Sequence, residues 1–465
     1  MSGVCLERWG AVAEATEVQE ADGQGKTDRA GSGKGNRMKA IVFPGPLKAD
    51  QLTVPPSKSM AHRAVICASL ARGVSHIHHV DLSQDVLTTI EGMRQLGAQI
   101  TIRGTDLEVI GTAGRAGFQI PEQPVFCNES GSTLRFFIPL FSLTGAPVRF
   151  TGKNRLLQRP QTVYEQLFHN QGLWYRHDED ELEIEGALRP GEITLRGDVS
   201  SQFISGLMMA LALTEQDSVL RIQPPFESRS YVELTMQMMA QFQVRAVFED
   251  ELTIRVFGNQ CYQACETTVE SDYSQMAFFA ALGSINSELG CRGLRLDSLQ
   301  GDRQMVQIVQ AMGGQVHQSE QQIRFVPARL QGCEVDLNNC PDLGPILMVL
   351  ASFARGQTHI THAGRLRYKE SDRIEAMETE LRKLGVSIRS GQDDILIEGP
   401  TRWKGGVELD GHRDHRIVMA LAVGATMAQG PVTINGAQAV AKSYPGFFDD
   451  LRGLGIGVKE IQDEG

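Results

Sequence analysis

The chain has 465 residues, 41% hydrophobic and 22% charged, with 45 Lys and Arg against 56 Asp and Glu for a formal net charge of −11. Such a length exceeds the ~150-residue domain norm about threefold, so two or more cores are expected, and apolar runs such as 204–213 are too short and interrupted to span a bilayer. The acidic balance excludes a nucleic-acid-coating surface while leaving room for a basic cleft that takes anionic ligands. Eight cysteines without a Cys-x-x-Cys pair read as reduced thiols of a cytoplasmic protein.

Residues 1–37 interleave Gly23, Gly25, Gly31, Gly33 and Gly35 with charged and small residues, and no hydrophobic period survives past Val18. A disordered extension is expected there. It lacks the apolar core of a secretory signal, and Glu7, Glu14, Glu17, Glu20, Asp22 and Asp28 speak against a transit peptide. Met38 opens the first strand-like stretch, Lys39-Ala40-Ile41-Val42, and is a candidate start.

From there one pattern recurs six times at spacings of about 70 residues: a polar start, a strongly apolar helix, a Gly or polar turn, a short strand. The copies begin near Ser59, Ser130, Ser201, Ser274, Leu343 and His415, and second helices are predicted over 85–96, 161–171, 231–241, 303–312, 372–384 and 447–454. In the third copy Phe203, Ile204, Leu207, Met208, Met209, Ala210, Leu211 and Leu213 cover nearly the whole circumference, as a fully buried inner helix requires. In the fifth copy's second helix Ile374, Met377, Leu381 and Leu384 form one stripe opposite Glu375, Glu378, Glu380, Arg382 and Lys383, the pattern of an outer helix. Alternating strands at 100–103 and 107–110 put sheets beside these helices, so the class is α/β with repeated units.

Polar residues gather where inner helices start: Lys58 and Ser59, 129–133, Ser200 and Ser201, Asp272 to Ser274, Asp342, and 414–416. Ser and Asp at such positions serve as N-caps. Caps do not explain Lys58, Arg63, Arg135, Arg159, Lys369, Arg373, Arg416 and Lys442, because a cap needs an acceptor and these are donors. Six helix N-termini that converged among them would make a strong anion site. His76, His78 and His79 share a short strand without an indicated carboxylate or Cys partner, and no metal site is expected there.

Four strings carry a family resemblance: Pro56-Ser57-Lys58-Ser59-Met60-Ala61-His62-Arg63-Ala64, Ser200-Ser201-Gln202-Phe203, Arg367-Tyr368-Lys369-Glu370-Ser371-Asp372-Arg373-Ile374 and Asp414-His415-Arg416-Ile417. With 131–135, Gln158-Arg159-Pro160, Pro341-Asp342-Leu343 and 441–445 in the same order, the chain from Met38 onward resembles the 5-enolpyruvylshikimate-3-phosphate (EPSP) synthases. The resemblance implies the enolpyruvyl transferase fold: two domains, each of three β-α-β-α-β-β units with buried parallel inner helices. One would be residues 58–268, the other 38–57 with 269–465.

The implied reaction joins phosphoenolpyruvate to the 5-hydroxyl of shikimate 3-phosphate by addition and elimination, releasing phosphate on the route to chorismate and aromatic amino acids. Two phosphates and two carboxylates call for Arg forks and Lys point charges, and two proton transfers call for two acid/base groups. By resemblance Lys58 meets both substrates. Ser59, Arg63, Ser200, Ser201, Gln202, Ser228, Tyr231, Asp342 and Lys369 match shikimate 3-phosphate positions. Gly131, Arg159, Gln202, Arg373, Arg416 and Lys442 match phosphoenolpyruvate positions. Asp342 is the implied base toward the 5-hydroxyl and Glu370 the proton donor to carbon 3, with Lys58 able to share either transfer. His415 is expected to be a buried orienting residue. No cofactor, metal, nucleic-acid or membrane partner is implied, and a cytoplasmic monomer is expected.

Two positions depart from the family pattern. Glu129 replaces an Asn and must pair with a nearby Arg or weaken anion binding. Arg365 replaces an Asn four residues before Lys369 and is expected to add positive charge near shikimate 3-phosphate. A cleft between two like-charged faces is expected to open without ligand and close when substrate anions bridge it. The related transferase acting on UDP-N-acetylglucosamine depends on a loop Cys, where this chain has Leu156-Leu157-Gln158-Arg159, and an inactive anion-binding relative would be expected to lack Asp342, Glu370 or Lys442. Retention of Gly131 leaves room for phosphoenolpyruvate and predicts inhibition by its analogue glyphosate; an inhibition titration with no effect at millimolar concentration would contradict this.

Overall fold

The computed structural model describes residues 37–463, so the extension expected over 1–37 lies outside the described residues apart from the backbone of Arg37. Twelve α-helices alternate along them: α1 (Lys58–Leu70), α2 (Gln84–Gln95), α3 (Gly131–Ser142), α4 (Thr162–Asn170), α5 (Ser201–Leu211), α6 (Arg229–Gln241), α7 (Tyr273–Ile285), α8 (Gln304–Ala311), α9 (Gly344–Phe353), α10 (Arg373–Lys383), α11 (His415–Ala425) and α12 (Phe447–Gly453). Odd-numbered helices are the apolar inner ones; every residue of α11 is buried, as is every residue of α7 up to Ser284. Even-numbered helices bury one stripe. In α10 that stripe holds Ile374, Ala376, Met377 and Leu381, and also Glu380, which the sequence pattern had placed on the polar side. Glu380 is tolerated inside because it accepts from the Asp410 N–H at 3.0 Å, from Lys383 at 2.7 Å and pairs with His412 at 3.1 Å.

Each helix pair belongs to one four-stranded sheet, and six sheets share one plan. A leading strand lies parallel to the strand reached through the inner helix, and in the first five units the outer helix leads into an antiparallel hairpin, the arrangement that helical crossovers and short turns respectively permit. In the second unit Val125–Phe126 pairs parallel with Val148–Thr151, which pairs antiparallel with Glu181–Glu185 and so places Trp174–His177 at the edge.

Three strands complete sheets far away in sequence. The first unit's leading strand is Glu266–Thr268, the fourth unit's is Gln51–Thr53, and Arg37–Phe43 lies between Val432–Asn435 and Gly457–Asp463 in the sixth. Buried apolar residues accordingly form two clusters, one from Met60 to Val269, the other joining Ala40, Val42 and Val54 to residues from Tyr273 to Ile456. The chain passes between them twice. The passages are tied together: the Ser57 N–H donates to the Glu270 carbonyl and the Asp272 N–H to the Pro55 carbonyl, both at 2.8 Å.

Helix α5 approaches α3 closely at Gly206. A Cβ there would stand 2.5 Å from the Arg135 carbonyl oxygen of α3 and 2.7 Å from the Tyr164 hydroxyl, which itself donates to that carbonyl at 2.6 Å. Gly206→Ala is expected to cost about 1–3 kcal/mol by overpacking, read as a lowered thermal midpoint in calorimetry.

Candidate active site

A cavity of about 490 Å³ is lined by residues at the N-terminal ends of all six inner helices: Lys58 and Ser59, Gly131 and Ser132, Ser201 and Gln202, Asp272 and Gln275, Pro341 and Asp342, His415 and Arg416. Each terminus brings unpaired N–H groups and roughly half a positive charge. The residue just before the helix is commonly the cap: Ser130 accepts from the Thr133 N–H at 3.2 Å, Ser200 from Gln202 at 3.3 Å, Asp272 from Ser274 at 2.7 Å and Asp414 from Arg416 at 2.9 Å. Capping therefore leaves the next residues, Ser59, Gly131 and Ser201, on the cavity wall.

Arg373, with 1% of its side chain exposed, sits among three carboxylates. It donates to Asp414 Oδ2 at 2.8 Å, Asp342 Oδ1 at 3.0 Å and Glu370 Oε2 at 2.7 Å. Asp342 also receives Arg416 at 3.1 Å and Lys369 at 3.3 Å, while Glu370 receives Arg159 at 3.0 Å. Burial pushes the Asp342 carboxyl up, but Arg416, Lys369 and Arg373 overcome it and hold that carboxyl well below the usual range. Burial acts the same way on Glu370, and Arg159 and Arg373 outweigh it. Both carboxylates are ionised at neutral pH in this arrangement. Burial pushes Arg135 down to about 9, aided by Arg159, and pushes Arg63 down to about 10. His415 is buried and, with Lys58 adding to the effect of burial, falls to about 3; it is a neutral imidazole whose ring nitrogens have no hydrogen-bond partner among the described residues. The orienting role expected of it is therefore not exerted through a hydrogen bond.

The walls of the cleft are not like-charged, contrary to expectation, because carboxylates lie among its cations and pair with several of them. Lys58 pairs with Asp85 at 2.9 Å, and the anticipated excess charge of Arg365 is cancelled by Glu227. Arg365 also donates to Ser228 Oγ at 2.9 Å and the Asn338 carbonyl at 2.6 Å. Arg63 donates to Thr235, the Ser59 carbonyl and the Tyr231 carbonyl at 2.7, 2.7 and 3.1 Å, which aligns α1 with α6. Gln202 accepts from Arg135 at 2.9 Å and donates to Ser132 at 2.8 Å, so its amide is fixed. Ser228, just before α6, adopts φ 54°, and Tyr231 donates to Asp302 at 3.1 Å.

Of the residues singled out in the sequence, Lys58, Ser59, Arg63, Gly131, Arg159, Ser200, Ser201, Gln202, Ser228, Tyr231, Asp342, Lys369, Glu370, Arg373 and Arg416 line this one cavity, and Lys442 does not. The Lys442 ammonium donates instead to Glu129 Oε2 and to the Arg413 carbonyl, each at 2.6 Å. Glu129 thus pairs with a Lys and not with an Arg. Sequence reasoning missed Asp85 and Glu227, whose only signal was an acidic residue at or before the start of an outer helix. Among the described residues no group of three or more His, Cys, Asp or Glu is placed to hold a metal ion, and no helix is long and apolar enough to cross a membrane.

Six repeated α/β units that point helix N-termini, Arg, Lys and two shared carboxylates into one cavity define a protein built to hold small polyanions beside acid/base groups. Residues 44–451 match the family described as EPSP synthase (3-phosphoshikimate 1-carboxyvinyltransferase), and the chain belongs to that family of transferases. A 3-phosphoshikimate 1-carboxyvinyltransferase of Clostridium kluyveri is 41% identical over 412 residues, 88% of this chain and 96% of the relative. The fold is shared with EPSP synthase from Acinetobacter baumannii (TM-score 0.75, 24% identity, 91% of this chain and 100% of that one). It is shared too with the enolpyruvyl transferase NikO of Streptomyces tendae (TM-score 0.76, 15% identity, 92% and 100%).

Replacing Arg373 with Met leaves the buried Asp414 without its cationic partner and takes one partner each from Asp342 and Glu370, and is expected to cost about 3–5 kcal/mol at neutral pH. Carboxylates held low in the folded state contribute stability above their unfolded pKa and lose it as pH falls through the folded one. The deficit of Arg373→Met should thus be largest at neutral pH and shrink below about pH 4, as urea titrations across that range would show.

Proposed function

We propose that the protein transfers the enolpyruvyl group of phosphoenolpyruvate to the 5-hydroxyl of shikimate 3-phosphate and releases phosphate. The observation that carries this reading is the placement of Asp342 and Glu370, sharing Arg373, in a cavity ringed by six helix N-termini and by Lys58, Arg159, Lys369 and Arg416. In this reading Lys58, Ser59, Arg63, Ser200, Ser201, Gln202, Ser228, Tyr231, Asp342 and Lys369 receive shikimate 3-phosphate, and Lys58, Gly131, Arg159, Gln202, Arg373 and Arg416 receive phosphoenolpyruvate, joined by Lys442, which must reach it from outside the cavity wall. The two clusters of buried residues support treating 38–57 with 269–465 and 58–268 as two domains that close on substrate. The protein works in the cytoplasm as a monomer.

Asp342, ionised and facing the cavity, takes the proton of the 5-hydroxyl as that oxygen bonds to carbon 2 of phosphoenolpyruvate. Carbon 3 takes a proton from Glu370, and the tetrahedral adduct then expels phosphate while carbon 3 returns a proton, leaving the enol ether. Glu370 is held ionised by Arg159 and Arg373. It takes up a proton from solvent and becomes an acid once the substrate's phosphate and carboxylate draw those guanidinium charges to themselves, since weaker pairing raises a buried carboxyl. Binding of the anion and arming of the acid are one event.

The test is phosphate release from the purified protein given both substrates, each alone, and UDP-N-acetylglucosamine in place of shikimate 3-phosphate. Release only with the shikimate ester supports the reading, and Asp342→Asn and Glu370→Gln should each lower kcat by about 10²–10⁴. Release with the nucleotide sugar, or none from folded protein, overturns it.

A further inference from the structure

We propose that Glu129 sets the affinity of the phosphoenolpyruvate half of the cleft by holding Lys442, so that a carboxylate of the chain occupies a cation a substrate anion would otherwise take. The inference deepens the functional reading above and rests on it for the identity of the anion.

Glu129 lies two residues before Gly131, the first residue of α3, and Lys442 ends the short turn Ala437–Lys442. Their neighbours belong to opposite clusters, Cys127 and Leu134 to one, Val440 and Tyr444 to the other. The pair therefore spans the two halves of the molecule. With both side chains largely covered, at 16% and 8% exposed, the 2.6 Å contact is little screened. An ammonium has three N–H donors, and Glu129 and the Arg413 carbonyl take two of them.

The second acceptor is held in place. His412 and Arg413 both have left-handed backbone, φ 49° and 54°, and the Arg413 guanidinium donates to Asn154 Oδ1 at 3.0 Å across the same seam. Glu129 differs from the other acids at the cleft. Asp342 and Glu370 share several cations each, whereas among the described residues Glu129 has Lys442 as its ion-pair partner. Its charge acts twice in one direction. It neutralises Lys442, and it places a negative charge beside the α3 N-terminus that would receive an anion.

The experiment is a calorimetric titration of phosphoenolpyruvate into the full chain, as wild type, Glu129→Gln, Lys442→Met and the double variant. Glu129→Gln is expected to bind about tenfold more tightly, and the gain is expected to vanish when Lys442 is also replaced. In turnover the KM for phosphoenolpyruvate should fall with kcat nearly unchanged and the KM for shikimate 3-phosphate unmoved. Equal or weaker binding by Glu129→Gln, a gain that survives Lys442→Met, or no binding by any of the four proteins overturns the inference. Glu129→Asn carries the same comparison should Glu129→Gln not fold. Binding that responds as expected in a protein that releases no phosphate would sink the functional reading and leave this inference standing.

Discussion

Helix N-termini repel one another, and six of them meet at one cavity. An isolated convergence of that kind would be a concentrated positive charge joined by Lys58, Arg159, Lys369, Arg373 and Arg416, too costly to hold together in a partly buried site. The fold answers with carboxylates distributed through the same space. Asp414 lies fully buried against Arg373, Asp342 bridges Arg373, Arg416 and Lys369, and Glu370 bridges Arg159 and Arg373. Arg373 is the centre of this balance. Burial opposes its charge, yet Asp414, Glu370 and Asp342 raise its pKa above that of an ordinary arginine.

A site balanced in this way does its chemistry with the groups that balance it. Asp342 and Glu370 help to neutralise the cavity, and in the proposed reaction they are also the groups that accept and donate protons there. An incoming phosphate or carboxylate competes with them for the same guanidinium and ammonium partners, so each anion that docks releases a carboxylate from part of its pairing. Affinity for anions and the protonation state of the acid are thereby linked in the proposed reaction, and Glu129, as proposed above, would shift the first without touching the second.

What could be read from the sequence follows from how local the physics is. Inner helices were legible because burial on all sides leaves an apolar circumference, as in 203–213, and because caps such as Ser130 and Asp414 act within three residues. Outer helices showed their stripe, but Glu380 was assigned to the wrong side because its partners, Asp410 and His412, lie some thirty residues away. The three-residue strands Gln51–Thr53 and Glu266–Thr268 are too short to show a period, and the sheets they complete depend on contacts about 190 to 240 residues distant. At the site, the cations that the motifs singled out line one cavity, with the exception of Lys442. Motifs do not carry the pairing of those cations, and so Lys442 with Glu129 and Arg365 with Glu227 emerged only in three dimensions.

The two passages of chain between the clusters end at the site itself. Residues leading into α1 pair with those leading into α7, and the Lys58 N–H, the first of α1, donates to Asp272 Oδ2 at 3.1 Å, while Asp272 caps α7. The N-termini of one inner helix from each half are thus fastened to each other at the point where the chain crosses over. Any shift of one half against the other must pivot near that fastening, and displacement grows with distance from a pivot. Arg159 with Glu370 and Glu129 with Lys442 also join the two halves, but through side chains alone, whereas the α1 and α7 termini are held through the backbone as well. In the proposed reaction that fastening makes Lys58 a fixed reference for both substrates.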